Sequence, residues 1–334
     1  MTFQEMAKTF QEFVSRQDRF ILSGHVRPDG DSIGACVALG LELLRQGKHP
    51  MIYYEGDTSR YGWGSRSLPI LDKQSLCKAT CGRFGWIMLD CAEPHRAGEA
   101  SVCADLAEES FCIDHHVNQK EYATYNWTDS RATSTCEILF HLFRENLYPI
   151  TKEVAEALFT GVAFDTGGFR HSSMTPDVFR MAACLSDTGI DITQIMNGLF
   201  HTKGFIETKV LGLALQKAYI HQNQIIVSAM EAKDFQSVGG TSDEREGAVA
   251  ALAEVAEAGA AVFLRELSPN TIRVNMRSKS KVDVALVARA FGGGGHVRAA
   301  GCTVGGSMQS VCQRVLREIM KQLPEEDEGM GFSM

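Results

Sequence analysis

The sequence lacks several features that would place it in familiar classes. Its 334 residues include ten cysteines but no Cys-x-x-Cys pair, and most cysteines stand in apolar surroundings such as FCI and GAC. This favours buried, reduced thiols over a disulfide framework. No apolar run approaches the roughly 20 residues that span a membrane, and the first 20 residues lack the basic and apolar regions of a signal peptide. We therefore expect a cytoplasmic protein with no membrane partner.

The chain also lacks an excess of positive charge. Its formal net charge is −8, with 33 Lys and Arg against 41 Asp and Glu. Binding along duplex DNA requires clustered basic residues, so this charge argues against a protein that coats duplex DNA. A small basic pocket or a bound cation could still recognise phosphate locally. The length is large for a single hydrophobic core, which predicts two domains.

Short apolar segments alternate with helical patterns between residues 19 and 165. The segments RFILSGH, PMIYYEG, FGWIMLD and SFCIDHH each read as a strand that ends in polar residues. Continuous apolar runs are typical of buried parallel strands. The pattern predicts a parallel α/β domain, in which ligands bind beyond the carboxyl ends of the strands.

The rest of the chain predicts a smaller second domain. A helical pattern is followed by two hairpins, the second of which turns at Pro269-Asn270, and by a helix that leads into a glycine run. We predict a two-domain α/β protein, whose second domain has a mixed sheet. The predicted boundaries are 1–195 for the first domain, 196–218 for a helical linker, 219–325 for the second domain and 326–334 for an acidic tail.

Acidic and histidine side chains recur at the predicted ends of strands and helices in the first domain. A single strand-end aspartate is more often a helix cap or a turn former. The grouping in GHVRPDGD is different, because two carboxylates and an imidazole on one tight loop repel or compete unless a positive charge lies among them. The candidates are His25, Asp29, Asp31, Asp90, Asp114, His115, His116 and Asp165.

This set of side chains predicts a metal centre. Mixed histidine and aspartate ligation suits a borderline divalent ion, Mn²⁺ especially, better than an all-oxygen Mg²⁺ or Ca²⁺ site. The ligands are too many for one ion, and two ions bridged by a carboxylate form a device for phosphoester hydrolysis. The alternative is a salt-bridged structural cluster. That cluster would need Lys and Arg, and Arg27 is the only such residue in the first loop.

A second set of candidates lies in NMRSK and FGGGGHVRAAG. Glycines let backbone N–H groups approach an anion closely and permit positive φ angles, and a guanidinium suits a phosphate. A flexible linker is the alternative, but the run is short and lies between a predicted helix and a predicted strand, which favours an anion site. The predicted substrate-binding residues here are Arg277, Ser278, Gly293, Gly294, Gly295, His296 and Arg298.

These motifs, taken in order, resemble those of a known family. His-x3-Asp-x-Asp, a strand-end Asp, Asp-His-His and a later Asp-Thr-Gly resemble the four motifs of the DHH phosphoesterases. NMRSK and FGGGGHVRAAG are similar to the signature of the DHHA1 domain that follows the DHH domain in this family. The resemblance spans residues 19 to 303. Within the family, the chain is most similar to the bifunctional oligoribonucleases and 3'-phosphoadenosine-5'-phosphate phosphatases.

The resemblance implies a role for each candidate in the first domain. It implies two Mn²⁺ ions per chain, and the residues that it assigns to them are His25 and Asp29 for one ion, Asp31, His115 and Asp165 for the other, and Asp90 as the bridge. His116 would face the substrate phosphate, and Asp114 would orient the histidines. The predicted catalytic residues are thus Asp90, Asp114 and His116.

The resemblance predicts a Mn²⁺-dependent phosphoesterase that cleaves short single-stranded RNA from one end, or converts 3'-phosphoadenosine-5'-phosphate to AMP, or does both. It also allows a homodimer. One alternative is a phosphodiesterase for cyclic or linear dinucleotides. A manganese pyrophosphatase lacks the glycine motif, and a recombination exonuclease usually needs further domains. From a different class, a non-catalytic nucleotide sensor would be marked by a missing metal ligand, and no ligand is missing here.

Overall fold

The structure is a computed structural model that forms two compact units, Met1–Thr202 and Lys203–Met334. The predicted acidic tail lies outside the described residues. No helix within the described ranges is long and apolar enough to cross a membrane. The ranges that the structure describes are 2–56, 58, 61, 67–91, 93–116, 121–170, 174–222, 224–242, 247–279 and 281–323.

The first unit contains a six-stranded sheet with the strand order β3-β2-β1-β4-β5-β6. Every neighbouring pair in this sheet is parallel, which confirms the predicted parallel α/β fold. The order of the strands reverses at β1, which pairs with both β2 and β4. The strands are β1 (Arg19–Ser23), β2 (His49–Tyr53), β3 (Ile70–Leu71), β4 (Gly85–Leu89), β5 (Glu109–Asp114) and β6 (Tyr125–Thr128).

Helices cover both faces of this sheet. One face packs against α1, α2, α5 and α6 in a large apolar cluster, and the other packs against α3 and a 3₁₀ segment, Pro94–Val102. A π-helical turn, Asn197–His201, ends the unit. The α-helices are α1 (Phe3–Arg16), α2 (Gly30–Arg45), α3 (Lys73–Ala79), α4 (Cys103–Leu106), α5 (Thr135–Glu145), α6 (Lys152–Asp165), α7 (Pro176–Ser186) and α8 (Ile192–Met196).

The second unit contains the predicted mixed sheet, with the strand order β11-β12-β10-β9-β8-β7. Strands β8 and β9 are parallel and the other pairs are antiparallel. The two predicted hairpins are present, β7-β8 and β9-β10. The elements are α9 (Phe205–Gln216), β7 (Tyr219–His221), β8 (Ile225–Met230), α10 (Ala232–Ser237), α11 (Ala248–Ala253), β9 (Ala260–Ser268), β10 (Thr271–Ser278), α12 (Val284–Ala290), β11 (Gly294–His296), β12 (Ala299–Gly305) and α13 (Met308–Met320).

Helix α9 forms most of the segment 196–218, which the sequence predicts as a linker. Its buried residues Val210 and Ala214 belong to the same apolar cluster as Phe263 of β9. The helix is therefore part of the second compact unit, which begins at Lys203. The spacing of four between the two buried residues indicates a helical face, but it does not indicate the surface that this face covers.

Candidate metal centre

The carboxyl ends of three adjacent strands carry the predicted polar side chains. His25 follows β1, Asp90 directly follows β4, and Asp114 ends β5 just before His115 and His116. Because β1, β4 and β5 are neighbours in a parallel sheet, their carboxyl ends meet at one edge. This edge lies beside the reversal of strand order, where open α/β sheets bind ligands.

Two helices bring the remaining carboxylates to the same edge. Asp29 is the N-cap of α2 and accepts a hydrogen bond from the Asp31 backbone N–H at 3.1 Å. Asp165 is the last residue of α6. Gly30 allows the start of α2 to pack directly on the end of α6, because a Cβ at this position would lie 2.6 Å from the Phe164 Cβ. The close packing of the helices places the three carboxylates together.

These side chains form three overlapping groups that could hold a metal. Within each group, one ligand atom per residue lies within 4.8 Å of all the others. The groups are His25, Asp29 and Asp90; Asp31, His115 and Asp165; and Asp90, Asp114, His115 and His116. The structure therefore brings together every metal-binding and catalytic residue that the sequence predicts in the first domain.

Asp90 lies at the centre of the cluster and presents its two oxygens in different directions. Its Oδ2 is 3.4 Å from the His25 Nε2, and its Oδ1 is 3.5 Å from the His115 Nε2. Asp90 is only 2% exposed, and its Oδ1 has no hydrogen-bond partner among the described residues. Its backbone has a φ of 56°, which is unfavourable for a residue with a side chain. A carboxylate in this position can be shared between two ions.

His25 is oriented as a metal-binding imidazole. Its Nδ1 is 3.0 Å from the Val26 carbonyl oxygen, so this nitrogen donates a proton and Nε2 faces Asp29 and Asp90. Histidines that bind metals commonly donate the other ring N–H to a carbonyl or a carboxylate. The loop is fixed on the other side by the Arg27 N–H, which donates to the Glu55 carbonyl at 2.7 Å.

Asp31 is held by the start of α5, a contact that the sequence analysis did not predict. The Thr135 N–H donates to the Asp31 Oδ2 at 2.6 Å, and the Cys136 N–H donates to Oδ1 at 2.9 Å. The first N–H groups of a helix have no partner within the helix and favour a negative charge. The Ser-x-x-Glu pattern from Ser134 to Glu137 is a sign of a helix start, but it does not show which carboxylate the helix receives.

Asp114 holds both histidines of the DHH motif. Its Oδ1 accepts hydrogen bonds from the His115 N–H at 2.7 Å and the His116 N–H at 3.2 Å, and it lies 2.7 Å from the His116 Nδ1. Asp114 is fully buried. Because Nδ1 of His116 donates to this carboxylate, Nε2 is the ring nitrogen that is left for another partner.

The carboxylates around His25 and His115 raise the pKa of both histidines. Burial by itself would lower the pKa of His25, but hydrogen bonds to Asp29 and Asp90 outweigh burial and raise the pKa to about 10. The pKa of His115 is raised to about 12, because Asp165 and Asp90 again outweigh burial. Burial opposes ionisation of Asp90, yet its contacts with His115 and His25 lower its pKa.

For Asp31 and Asp165, burial and the neighbouring carboxylates outweigh the favourable interaction with His115. Burial, followed by the charge of Asp90, raises the pKa of Asp31 to about 7. Burial and the charge of Asp31 raise the pKa of Asp165 well above its usual value. The cluster thus holds more acidic groups than its histidines can balance. The burial, the unpartnered oxygen of Asp90 and the mixed N/O donor set fit divalent cations.

The second set of predicted residues lies in the second unit, around one end of β10. Arg277 and Ser278 end this strand, and the Ser278 N–H donates to the Arg298 carbonyl at 3.0 Å. Burial lowers the pKa of the half-buried Arg277. His296 is exposed at the end of the short strand β11.

The glycine run has structural roles beside the predicted one. A Cβ at Gly293 would lie 2.4 Å from the Gly301 carbonyl oxygen, and a Cβ at Gly295 would lie 2.5 Å from the Ala299 carbonyl oxygen. The close approach of β11 to β12 therefore requires these two glycines. Gly294 differs, because a Cβ there would have nothing within 4 Å and the φ of this residue is not positive. The fold gives no reason for a glycine at this position.

A parallel sheet with a histidine and aspartate cluster at its carboxyl edge is the arrangement of a metal-dependent enzyme. Residues 19–162 match the DHH family, N-terminal domain, and residues 222–323 match the DHHA1 domain. The two matches cover most of the chain between them. The chain belongs to the DHH family of phosphoesterases and carries a DHHA1 domain.

Several known proteins are similar over nearly the whole chain. The bifunctional oligoribonuclease and PAP phosphatase NrnA of Thermus thermophilus is 29% identical over 308 residues, which is 90% of this chain and 89% of that protein. The protein of the same name from Bacillus subtilis is 28% identical, over 87% of this chain and 91% of that one.

Solved structures show the same fold. An exopolyphosphatase-related protein from Bacteroides fragilis superposes with a TM-score of 0.88 at 25% identity and covers 95% of this chain and 96% of its own. RecJ from Thermus thermophilus, solved in complex with Mn²⁺, has a TM-score of 0.58 at 12% identity and covers 96% of this chain and 55% of its own. The second likeness concerns the fold alone.

Proposed function

We propose that this DHH phosphoesterase is a Mn²⁺-dependent enzyme that hydrolyses short single-stranded RNA from one end, converts 3'-phosphoadenosine-5'-phosphate to AMP, or does both. The observation that carries this proposal is the cluster of three overlapping groups that could hold a metal, two of which contain Asp90. The similarity to the two NrnA proteins, which are named for these two activities, supports the choice of substrates.

Two ions fit the cluster better than one. We assign His25 and Asp29 to one ion, Asp31, His115 and Asp165 to the other, and Asp90 to both. The distances support this assignment, because the two oxygens of Asp90 face different histidines. Ions held there would lower the pKa of an attacking water and offset negative charge at phosphorus. The imidazole and carboxylate donors suit Mn²⁺.

His116 is the residue of this chain that we assign to the substrate phosphate. Asp114 fixes its ring through Nδ1 at 2.7 Å, so Nε2 can donate a hydrogen bond to a phosphate oxygen when the ring is protonated. The side chain is one quarter exposed, whereas Asp114 is buried. We therefore assign contact with the reacting group to His116 and orientation of the two histidines to Asp114.

In the second unit, we assign Arg277, Ser278, His296, Arg298 and the glycine run to substrate binding. The observation that supports this assignment concerns Gly294. A side chain would fit at this position, so the glycine leaves space that a ligand can occupy. A net charge of −8 supports short single strands over duplex DNA. A homodimer remains a prediction, which light scattering on the purified protein would test.

The experiment is product analysis on chelator-stripped protein, with and without added Mn²⁺. The panel contains RNA di- and trinucleotides, 3'-phosphoadenosine-5'-phosphate, a cyclic dinucleotide and a DNA duplex. We expect Mn²⁺ to restore hydrolysis of the first two classes and the Asp90→Ala variant to remain inactive at any Mn²⁺ concentration. Full activity in chelator would contradict the metal assignment, and cleavage of the cyclic dinucleotide alone would contradict the substrate assignment.

A further inference from the structure

One face of the second sheet carries a row of polar side chains that is only partly covered by the sequence motifs. In β10, Ile272, Val274 and Met276 are buried in one apolar cluster with α12 and α13. The residues between them point to the opposite face, because successive side chains of a strand alternate. These three residues, which we call the β10 row, are Arg273, Asn275 and Arg277.

On the β12 side, the β10 row has few side chains beside it, whereas β9 on the other side places Arg265, Phe263 and Ala261 opposite Arg273, Asn275 and Arg277. Asn275 lies opposite Gly301 of β12, and Arg277 lies opposite Ala299. Gly294 of β11 lies opposite Gly301 in turn. Residues directly opposite each other in antiparallel strands share a face, so the row borders a floor of small residues. The open space around Gly294 continues this floor.

The polar groups of the row have few hydrogen-bond partners among the residues that the structure describes. Arg273 donates to the Thr303 Oγ1 at 3.3 Å, and Arg277 donates to the Met276 carbonyl at 3.1 Å. Neither guanidinium forms an ion pair with a carboxylate in the part of the chain that the structure describes, although both are half-buried. The Asn275 Oδ1 is buried there and has no hydrogen-bond partner. Half-buried cations without an acidic partner favour an anionic ligand.

The spacing of the row shows what kind of ligand it suits. Alternate residues of a strand lie about 7 Å apart, so Arg273 and Arg277 stand roughly 13 Å apart along β10. Such a separation suits two anionic groups of one extended ligand. Between them, the Asn275 Oδ1 accepts no hydrogen bond from the described residues, so a ligand group at this position should be a hydrogen-bond donor. A phosphate that is ionised cannot donate, but the 2'-hydroxyl of a ribose can.

We propose that the β10 row binds the backbone of a single-stranded oligoribonucleotide, with Arg277 and Arg273 on two phosphates and Asn275 on a ribose hydroxyl between them. This rests on the proposed function and adds to it how the enzyme recognises a strand longer than one nucleotide. Arg277 serves every substrate. Arg273 serves the longer strands, and Asn275 distinguishes RNA from DNA.

The test compares KM and kcat on an RNA trinucleotide, the matched DNA trinucleotide and 3'-phosphoadenosine-5'-phosphate, all with saturating Mn²⁺. We expect Arg273→Ala to raise KM for the RNA trinucleotide about ten- to hundred-fold, which is what the loss of one charged hydrogen bond produces, and at least ten times more than for 3'-phosphoadenosine-5'-phosphate. Arg273→Lys should lie between this variant and the wild type. Asn275→Ala should reduce the preference for RNA over DNA in kcat/KM about fivefold.

Arg317→Ala is the matched control, because this exposed arginine lies on α13, which packs on the other face of the sheet. Thermal unfolding of each variant checks the fold. Equal changes in KM for long and short substrates after Arg273→Ala, or an RNA preference that Asn275→Ala leaves unaltered, would overturn the inference. A wild-type enzyme that hydrolyses none of the three substrates would overturn the proposed function, and the inference with it.

Discussion

The contact between Gly161 and Asp31 offers a direct test of how the metal centre is held. Gly161 lies in the interior of α6, and a Cβ there would lie 2.6 Å from the Asp31 Oδ1 and 2.3 Å from the Cys136 Sγ. An ordinary contact begins near 3.4 Å, so Gly161→Ala must displace the carboxylate by about 0.8 Å and the Cys136 Sγ, at the start of α5, by about 1.1 Å. Metal sites tolerate deviations of only about 0.2 Å in ligand distance.

We expect Gly161→Ala to weaken Mn²⁺ binding about ten- to hundred-fold, the usual effect of disturbing a residue that orients a metal ligand. Its effect on folding is smaller. Overpacking costs about 1–3 kcal/mol, and the change from Gly to Ala in a helix interior returns about 1 kcal/mol. The free energy of unfolding of the metal-free protein should therefore fall by roughly 0–2 kcal/mol.

The assay is a calorimetric Mn²⁺ titration of chelator-stripped protein, together with denaturant unfolding of the same samples. Gly40→Ala is the matched control, because Gly40 is also in a helix interior, in α2, and its Cβ would meet only the ends of flexible side chains, with Leu68 nearest at 2.9 Å. The Gly40→Ala variant gains the same helix propensity, but its methyl group contacts no residue of the candidate metal centre. Unaltered Mn²⁺ affinity in Gly161→Ala would refute the idea that this packing positions Asp31 for the metal.

Three other substitutions test the remaining assignments. Asp165→Asn should raise the melting temperature of the metal-free protein at pH 8, because burial and the charge of Asp31 raise the pKa of Asp165 and its ionised form costs stability. This gain should decrease as the pH falls and vanish near pH 3, about one unit below the ordinary aspartate pKa, where the carboxyl is protonated in the unfolded chain as well. The exposed Asp105→Asn should show no such gain. His116→Ala should lower kcat on 3'-phosphoadenosine-5'-phosphate more than a hundred-fold and change the calorimetric Mn²⁺ affinity much less, since it meets charge that develops at the phosphate; equal losses in both would make it a metal ligand. Gly294→Ala should raise KM about tenfold at unchanged melting temperature, because its methyl group meets only the ligand, whereas Gly293→Ala should lower the melting temperature.

The convergence of most residues of the candidate metal centre could be predicted, because their positions follow from local patterns. A continuous apolar run such as FGWIML indicates a buried strand, and the Asp90 that follows it must then lie at the carboxyl end. Parallel strands place their carboxyl ends at a common edge, so His115 could be expected near Asp90 without any knowledge of distances. This inference needs only the type of each element and the direction in which the chain runs through it.

The contacts that position these ligands could not be predicted in the same way. Asp31 and Thr135 are 104 positions apart, and no periodicity relates an acid at the start of one helix to the backbone of another. The separate roles of the glycines in the run could not be predicted either. Strand packing requires a glycine at Gly293 but not at Gly294, and the sequence does not distinguish these two positions. In each case the deciding quantity is a distance between elements that lie far apart in the sequence.

The electrostatics of the cluster connect its stability to its function. Without ions, the protonated His25 and His115 are the positive charges that the described residues supply to the buried aspartates. Both histidines must lose these protons to bind a metal, and the ions then supply the charge that the protons supplied before. Asp90 is central to both states, because its two oxygens lie 3.4 Å and 3.5 Å from the two histidines in one, and we propose that it joins the two ions in the other. The unfavourable backbone of Asp90 persists because the residue directly follows β4, which lies between β1 and β5, and its N–H donates to the Ile113 carbonyl at 3.1 Å. These contacts hold the carboxylate that we propose as the shared ligand at the edge of the sheet.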